Sequence, residues 1–253
     1  MTSRTPQRNA ASLRELAENR SLPAHQLMDQ DTLTWIARNR PEITAAAPTQ
    51  PHPPVMLVPD AAWFADARLV DSIHGIRHNA RVSLLAGLLA QEYGLDHDHT
   101  AALCAAAAVH DCRRRDDRED RGHGWRAAAH FTANPTAVSS LLGRELPPNL
   151  SAQATSAIGL HDVPYSAFTP EQNHDYQRAP HLTDLLKAAD CLDRYRLPLS
   201  RWWPDPSQLR ILIPAWLHLV AFDLVVRSEQ ARLDGATNHG ALIHARHILN
   251  PGQ

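Results

Sequence analysis

The sequence predicts an all-α protein, a helical bundle with a binding site between its helices. Three observations carry this. Apolar residues recur at helical spacing over much of the chain, as in Val70, Ile73, Ile76, Val82, Leu84, Leu85, Leu88 and Leu89. Ala105, Ala106, Ala107 and Ala108 leave so little bulk that neighbouring helices can approach the backbone closely. Only Val55-Met56-Leu57-Val58 resembles a strand, and with no partner in sight it reads as extended chain.

In chain order, residues 12–19 and 31–38 read as short amphipathic helices. Asp31 is the expected N-cap of the second, Leu33, Trp35 and Ile36 are its apolar contacts, and Pro41 ends it. In the linker 45–54, Pro48, Pro51, Pro53 and Pro54 favour extended backbone. Residues 1–54 are thus an N-terminal helical extension with a proline-rich linker, and 55–253 form the main helical domain. A long helical pattern over 65–93 has Gly75 as the one place for a break, and Thr100 is the expected cap of a helix reaching His110. The charged loop 112–122 has no apolar residue after Cys112, so it is a solvated loop or the wall of a site. Helices are expected at 123–132, 135–143, 151–161, 182–195, 215–233 and 241–249, with a break at 200–207 where Pro204 and Pro206 fall.

Composition narrows the function classes. A net charge of −2 gives no footprint for nucleic acid. Three cysteines make no disulfide framework, and neither a secretory leader nor a membrane-length apolar run is evident, so a cytoplasmic location is expected.

The chain has 16 histidines, and several stand beside carboxylates. His78 lies 32 residues before the adjacent pair His110-Asp111, and Asp190 sits later among Leu185, Leu186, Ala188, Ala189 and Leu192. A carboxylate in such apolar company needs a partner or a metal. Imidazole nitrogen and carboxylate oxygen are ligands for divalent transition metals, and packed helices could bring these four groups to one point. His74, four residues before His78, shares its face on a continuous helix. It either lines the pocket or packs in the core bonded to a backbone carbonyl. Asp193 is read as structural, a second pocket carboxylate or a partner for Lys187 or Arg194. Arg113, Arg114 and Arg115 follow the His-Asp pair, with Arg121 and Arg126 flanking His123. They either grip phosphate oxygens or are neutralised by Asp116, Asp117, Glu119 and Asp120. Asp117 or Asp120 could orient a water or a ligand histidine. Cys112 and Cys191 read as packing residues. Trp125, Trp202, Trp203 and Trp216 read as core anchors, or as a wall for a flat substrate group.

The order His78, His110-Asp111, Asp190 resembles the HD-domain superfamily of metal-dependent phosphohydrolases, over roughly residues 71–197. The resemblance implies an HD-like helical bundle with a metal site between helices. It also implies hydrolysis of a phosphate ester or anhydride of a small metabolite or nucleotide, with Asp111, Arg114, Asp117 and His123 serving catalysis. With His123 and His161 the order is similar to the six-ligand set of the binuclear branches: His78, His110, Asp111, His123, His161 and Asp190. Asp111 would then bridge two ions. In a mononuclear site His123 and His161 would instead touch substrate phosphate. The gap of 13 residues from His110 to His123, and Asp162 where a second His is common, depart from that pattern. Nitrogen-rich ligation favours one or two ions of Mn, Fe, Co, Ni or Zn. The expected partner is a small phosphorylated substrate, with neither nucleic acid nor membrane. Two rival readings are a mixed-valent diiron oxygenase on the same ligands and a non-catalytic regulatory HD protein.

Overall fold

Helix α4 (His97–Val109) is the axis of the fold: every residue from Ala102 to Val109 is buried. Its alanines let three neighbours close in, α3 (Ile76–Glu92), α7 (Pro148–Leu160) and α9 (Pro180–Leu192). The computed structural model describes residues 10–45 and 55–249. Among them there are helices and turns and no β-strand, so the chain is all-α.

Helix α5 (His123–Ala133) packs on α7, and α6 (Pro135–Leu142) closes against α4. The paired helices α10 (Ala215–Leu233) and α11 (Asn238–Arg246) cover α3. The N-terminal helices α1 (Leu13–Glu18) and α2 (Gln30–Arg38) share the main core, where Leu13, Met28, Leu33 and Ile36 join one continuous apolar cluster. Helix α2 lies against α10, and Trp35 meets Trp203 with ring centroids 5.5 Å apart.

Several starts differ from those expected. Asp29, not Asp31, caps α2, its carboxylate accepting from the Thr32 amide. Asp96, not Thr100, caps α4. The pattern at 65–93 is two pieces: a 3-10 turn at Ala67–Leu69, then α3 beginning after Gly75. A side chain at Gly75 would meet the Val70 carbonyl oxygen at 2.3 Å, so the tight reversal there requires glycine. Helix α7 starts earlier, with Pro148 in its first turn. One helix was not expected, α8 (Pro170–Arg178), capped by the Thr169–Gln172 box. Residues 55–58 form neither helix nor strand, in line with the extended chain expected there; linker residues 46–54, with their prolines, lie outside the described residues. Among the described residues no helix is long and apolar enough to cross a membrane.

Candidate metal centre

Five helix ends meet at one pole of the bundle. His78 is in the first turn of α3 and His123 opens α5. His110 and His161 are the C-terminal caps of α4 and α7, Asp111 follows His110, and Asp190 stands in the last turn of α9. All six residues expected as ligands are therefore together.

The same local device orients three of the imidazoles. At a helix terminus the ring folds back on the carbonyl three residues earlier: His110 Nδ1 to Ala107 O at 2.7 Å, His161 Nδ1 to Ile158 O at 2.8 Å, His123 Nδ1 to Asp120 O at 2.7 Å. His78 Nδ1 instead donates to Asp193 Oδ2 at 2.8 Å. A carbonyl or carboxylate partner requires the proton on Nδ1, so each neutral ring presents a bare Nε2 lone pair.

Those lone pairs face one another. His78 and His110 bring Nε2 atoms to 3.2 Å, with Asp111 Oδ2 3.4 Å and Asp190 Oδ1 3.5 Å from His78 Nε2. His123 and His161 bring theirs to 3.1 Å, with Asp111 Oδ1 at 2.9 and 3.4 Å. Donors about 2.1 Å from one cation stand roughly 3.0–3.4 Å apart at octahedral and tetrahedral angles. Acceptors packed this closely repel unless positive charge lies between them. Asp111 Oδ1, buried and without a hydrogen-bond partner, has the same need. These buried His and Asp groups can hold a metal ion, and the donor set fits one on each side of Asp111.

The electrostatics agree. Burial works to protonate Asp111, yet Arg114, His123 and His110 together hold its pKa well below the usual carboxylate range. Burial likewise opposes charge on Asp190, and His110 and His78 outweigh it. For His123, burial lowers the pKa but the Asp111 carboxylate prevails and raises it, so the pocket attracts positive charge. Burial depresses His161.

Residues outside the six complete the centre. His74 Nδ1 lies 2.6 Å from Asp111 Oδ2, so its partner is that carboxylate and not a carbonyl; with Gly75 between, it precedes α3 instead of sharing a helix with His78. Asn79 holds the Asp111 amide through Oδ1 and donates to the carbonyls of His74 and Gly75. Gly124 lets α5 close on α7, since a Cβ there would meet Asp162 Oδ1 and the Ile158 carbonyl at 2.8 Å. Asp162 itself reaches His123 Nδ1 at 3.3 Å. Asp193 pairs with His78 and Arg81, not with Lys187 or Arg194. Buried Lys187 donates to the carbonyls of His161 and Val163.

An open cavity of about 560 Å³ gives access to the centre, with His74, Asp111, Arg114, His123, His161 and Asp190 in its walls. Arg196 also lines it; this guanidinium is 2% exposed, donates Nε to Ile73 O, and leaves Nη1 without a hydrogen bond. Of the loop arginines, Arg114 faces the centre, 3.7 Å from Asp111. Arg118, Arg121 and Arg126 pair with Asp116, Glu119 and Asp120, and Arg113 donates to the Trp63 carbonyl. Asp117 lines the cavity but touches no ligand histidine. It accepts from the Gln26 amide at 2.7 Å and the Ser72 hydroxyl at 2.9 Å, tying the N-terminal segment to the site. Asp120 supports His123 through its backbone carbonyl. Burial pushes the Cys191 thiol up to about 11 and raises Cys112 as well, so both remain packing thiols. Trp216 is buried, Trp203 packs on Tyr195 and Phe222, Trp202 lines the cavity, and Trp125 is exposed away from it.

His74, Asn79, Asp162 and Arg196 thus surround the six expected ligands. Only tertiary contact reveals Arg196, because its neighbours in sequence carry no motif. No family model, curated protein or solved structure matches the chain.

Proposed function

We propose that the protein is a metal-dependent phosphohydrolase of the HD type, acting on a phosphate ester or anhydride of a small molecule. The observation that carries this is Asp111, its two oxygens turned to two separate pairs of bare imidazole nitrogens, with two buried guanidiniums on the same cavity. His78, His110, Asp190 and Asp111 Oδ2 would hold one ion, and His123, His161 and Asp111 Oδ1 the other. Four imidazoles and two carboxylates suit Mn, Fe, Co, Ni or Zn better than Mg. Such ions supply Lewis acidity at the phosphoryl group and acidify water toward neutral pH.

The chain's own groups do the rest. Arg114 and Arg196 present planar donors for phosphoryl oxygens, and Arg196 Nη1 makes no hydrogen bond, its nearest carboxylate oxygen being Asp193 Oδ2 at 3.6 Å. Asp117, its pKa pushed up to about 6 by burial, can exchange a proton near neutral pH, and Gln26 and Ser72 fix its orientation.

The same bridging placement of Asp111 supports a second reading, a mixed-valent diiron oxygenase. The two buried arginines beside the centre favour phosphoryl chemistry. The test is metal analysis of protein loaded with each candidate ion, then phosphate release from a panel of phosphate monoesters and anhydrides. Two ions per chain and turnover abolished by Asp111→Asn are expected. Substrate-dependent oxygen uptake by the iron form, without phosphate release, would move the conclusion to the oxygenase.

A further inference from the structure

A second cavity of about 540 Å³ adjoins the first, and His161, Asp162, Asp190 and Arg194 belong to both. Its far wall is cationic. Arg194, Arg201, Arg210 and Lys187 line it against Asp205 and Asp162, with Asp190 committed to the metal centre. Among the described residues Arg194, Arg201 and Arg210 form no ion pair, whereas most other arginines do. Each is held in place by other means. Arg194 donates Nε to the Trp202 carbonyl at 2.7 Å, leaving both Nη groups. Arg201 lies 5.3 Å over the Trp202 ring and Arg210 4.1 Å over the Tyr165 ring. A stacked guanidinium keeps its edge free for bidentate bonds. The Tyr165 hydroxyl is turned away to Asp184; the Tyr176 hydroxyl, which also donates to Asp184, meets Arg210 as a neutral partner and leaves its charge uncompensated.

We propose that this chamber binds the non-reacting end of the substrate, and that this end carries a second anionic group. The proposal rests on the phosphohydrolase reading: one phosphoryl group sits at the metal centre, and the second anion passes Arg194 to reach Arg201 and Arg210. The substrate class is a doubly anionic small molecule, a bisphosphate or a phosphate with a distant carboxylate. A neutral alcohol ester would leave three unpaired guanidiniums unused.

The test separates recognition from turnover. Calorimetric titration of the full-length manganese-loaded protein uses alkane bisphosphonates of graded chain length, each beside its monophosphonate. Neither class is hydrolysed. At the matching length the bisphosphonate is expected to bind roughly tenfold or more tightly, the worth of charge-assisted hydrogen bonds. The double variant Arg201→Gln/Arg210→Gln should bring that ratio to about one and leave monophosphonate affinity unchanged. Both side chains are exposed, so the fold should survive, as circular dichroism would check. Carboxyalkyl phosphonates decide between phosphate and carboxylate as the second anion. Equal affinity at every length, a preference that survives the double variant, or a variant that weakens both ligands alike each overturns the proposal. Failure of both ligands to bind overturns it together with the phosphohydrolase reading. A bisphosphonate preference without phosphate release from any alkyl phosphate keeps the chamber and removes the hydrolase.

Discussion

Helix α3 carries two buried polar clusters that differ in one respect. The first joins Arg77 and Arg81 to Asp193 and Glu229. Arg81 gives Nε and Nη2 to Asp193 and Nη1 to Ser228 and Glu229, while Arg77 gives two bonds to Glu229 and pairs with Asp71. Two guanidiniums meet two buried carboxylates, and each charge has its counterion inside the protein. The second cluster, one residue along at His78, gathers four imidazoles and two carboxylates whose facing atoms are all acceptors. The first is complete without a ligand; the second lacks donors of its own and could hold a metal ion. Burial alone would not separate architecture from a site here, whereas the count of donors against acceptors does.

The largest expected effect follows from breaking the complete cluster. Burial works to raise the Glu229 pKa, and Arg77 and Arg81 more than offset it. Glu229→Gln leaves two buried guanidiniums short of a counterion, so a loss of about 3–5 kcal/mol in chemical unfolding is expected. His161→Gln in the metal-free protein should cost only about 1 kcal/mol, the worth of the Nδ1 bond to the Ile158 carbonyl, because Nε2 has no donor to lose; metal content, if two ions bind, should fall by one. Equal destabilisation by both substitutions would erase the distinction between the clusters.

Much of this was legible in the sequence, for a physical reason. The ligand residues sit at helix ends, where charged or small residues interrupt an apolar pattern: His110-Asp111 after the alanines, His123-Gly124 after the charged loop, Asp190 among leucines. What escaped depends on long-range contact. Arg196 and Asn79 gain meaning only from the atoms they reach, 123 and 32 residues away in the chain. Helix α8 escaped because it buries Tyr176 alone and so has no apolar stripe. Its signal was local, Thr169 followed three residues later by Gln172, a capping box without a hydrophobic run behind it. The cap of α4 was misplaced to Thr100 because Asp96 lies among polar residues that dilute the apolar period.

A third buried carboxylate lies between the two extremes. Asp117 has neutral donors, the Gln26 amide and the Ser72 hydroxyl, and burial outweighs them, pushing its pKa from 3.8 up to about 6. The folded state therefore keeps a proton that the unfolded chain releases. Stability from this group is greatest below about pH 4, declines as pH rises through the window to about 6, and is level beyond it. The whole decline is at most about 3 kcal/mol. Asp117→Asn reproduces the protonated form, its oxygen accepting from Gln26 and its amide donating to Ser72. Urea unfolding across that pH range should lose this slope in the variant; an unchanged slope would assign the wild-type decline to other groups.

The most local effect tests the joint between the clusters, because Asp193 belongs to both. Its Oδ2 accepts the hydrogen bond from His78 Nδ1–H, and Arg81 spans its two oxygens. Burial raises its pKa, but Arg81 and His78 prevail and hold it near 2, so the carboxylate stays ionised at neutral pH. That charge fixes the His78 tautomer and makes Nε2 a stronger donor to metal. Asp193→Asn keeps the shape but removes the charge, and should weaken the ion held by His78, His110 and Asp190 by about 10- to 100-fold. The ion held by His123 and His161 should be unaffected, since no bond connects Asp193 to either ring. Competition titration with a chelator resolves the two steps. Parallel loss of both ions would mean that Asp193 serves the packing of the whole pole, and loss of neither would mean that a neutral oxygen orients His78 as well as the carboxylate does.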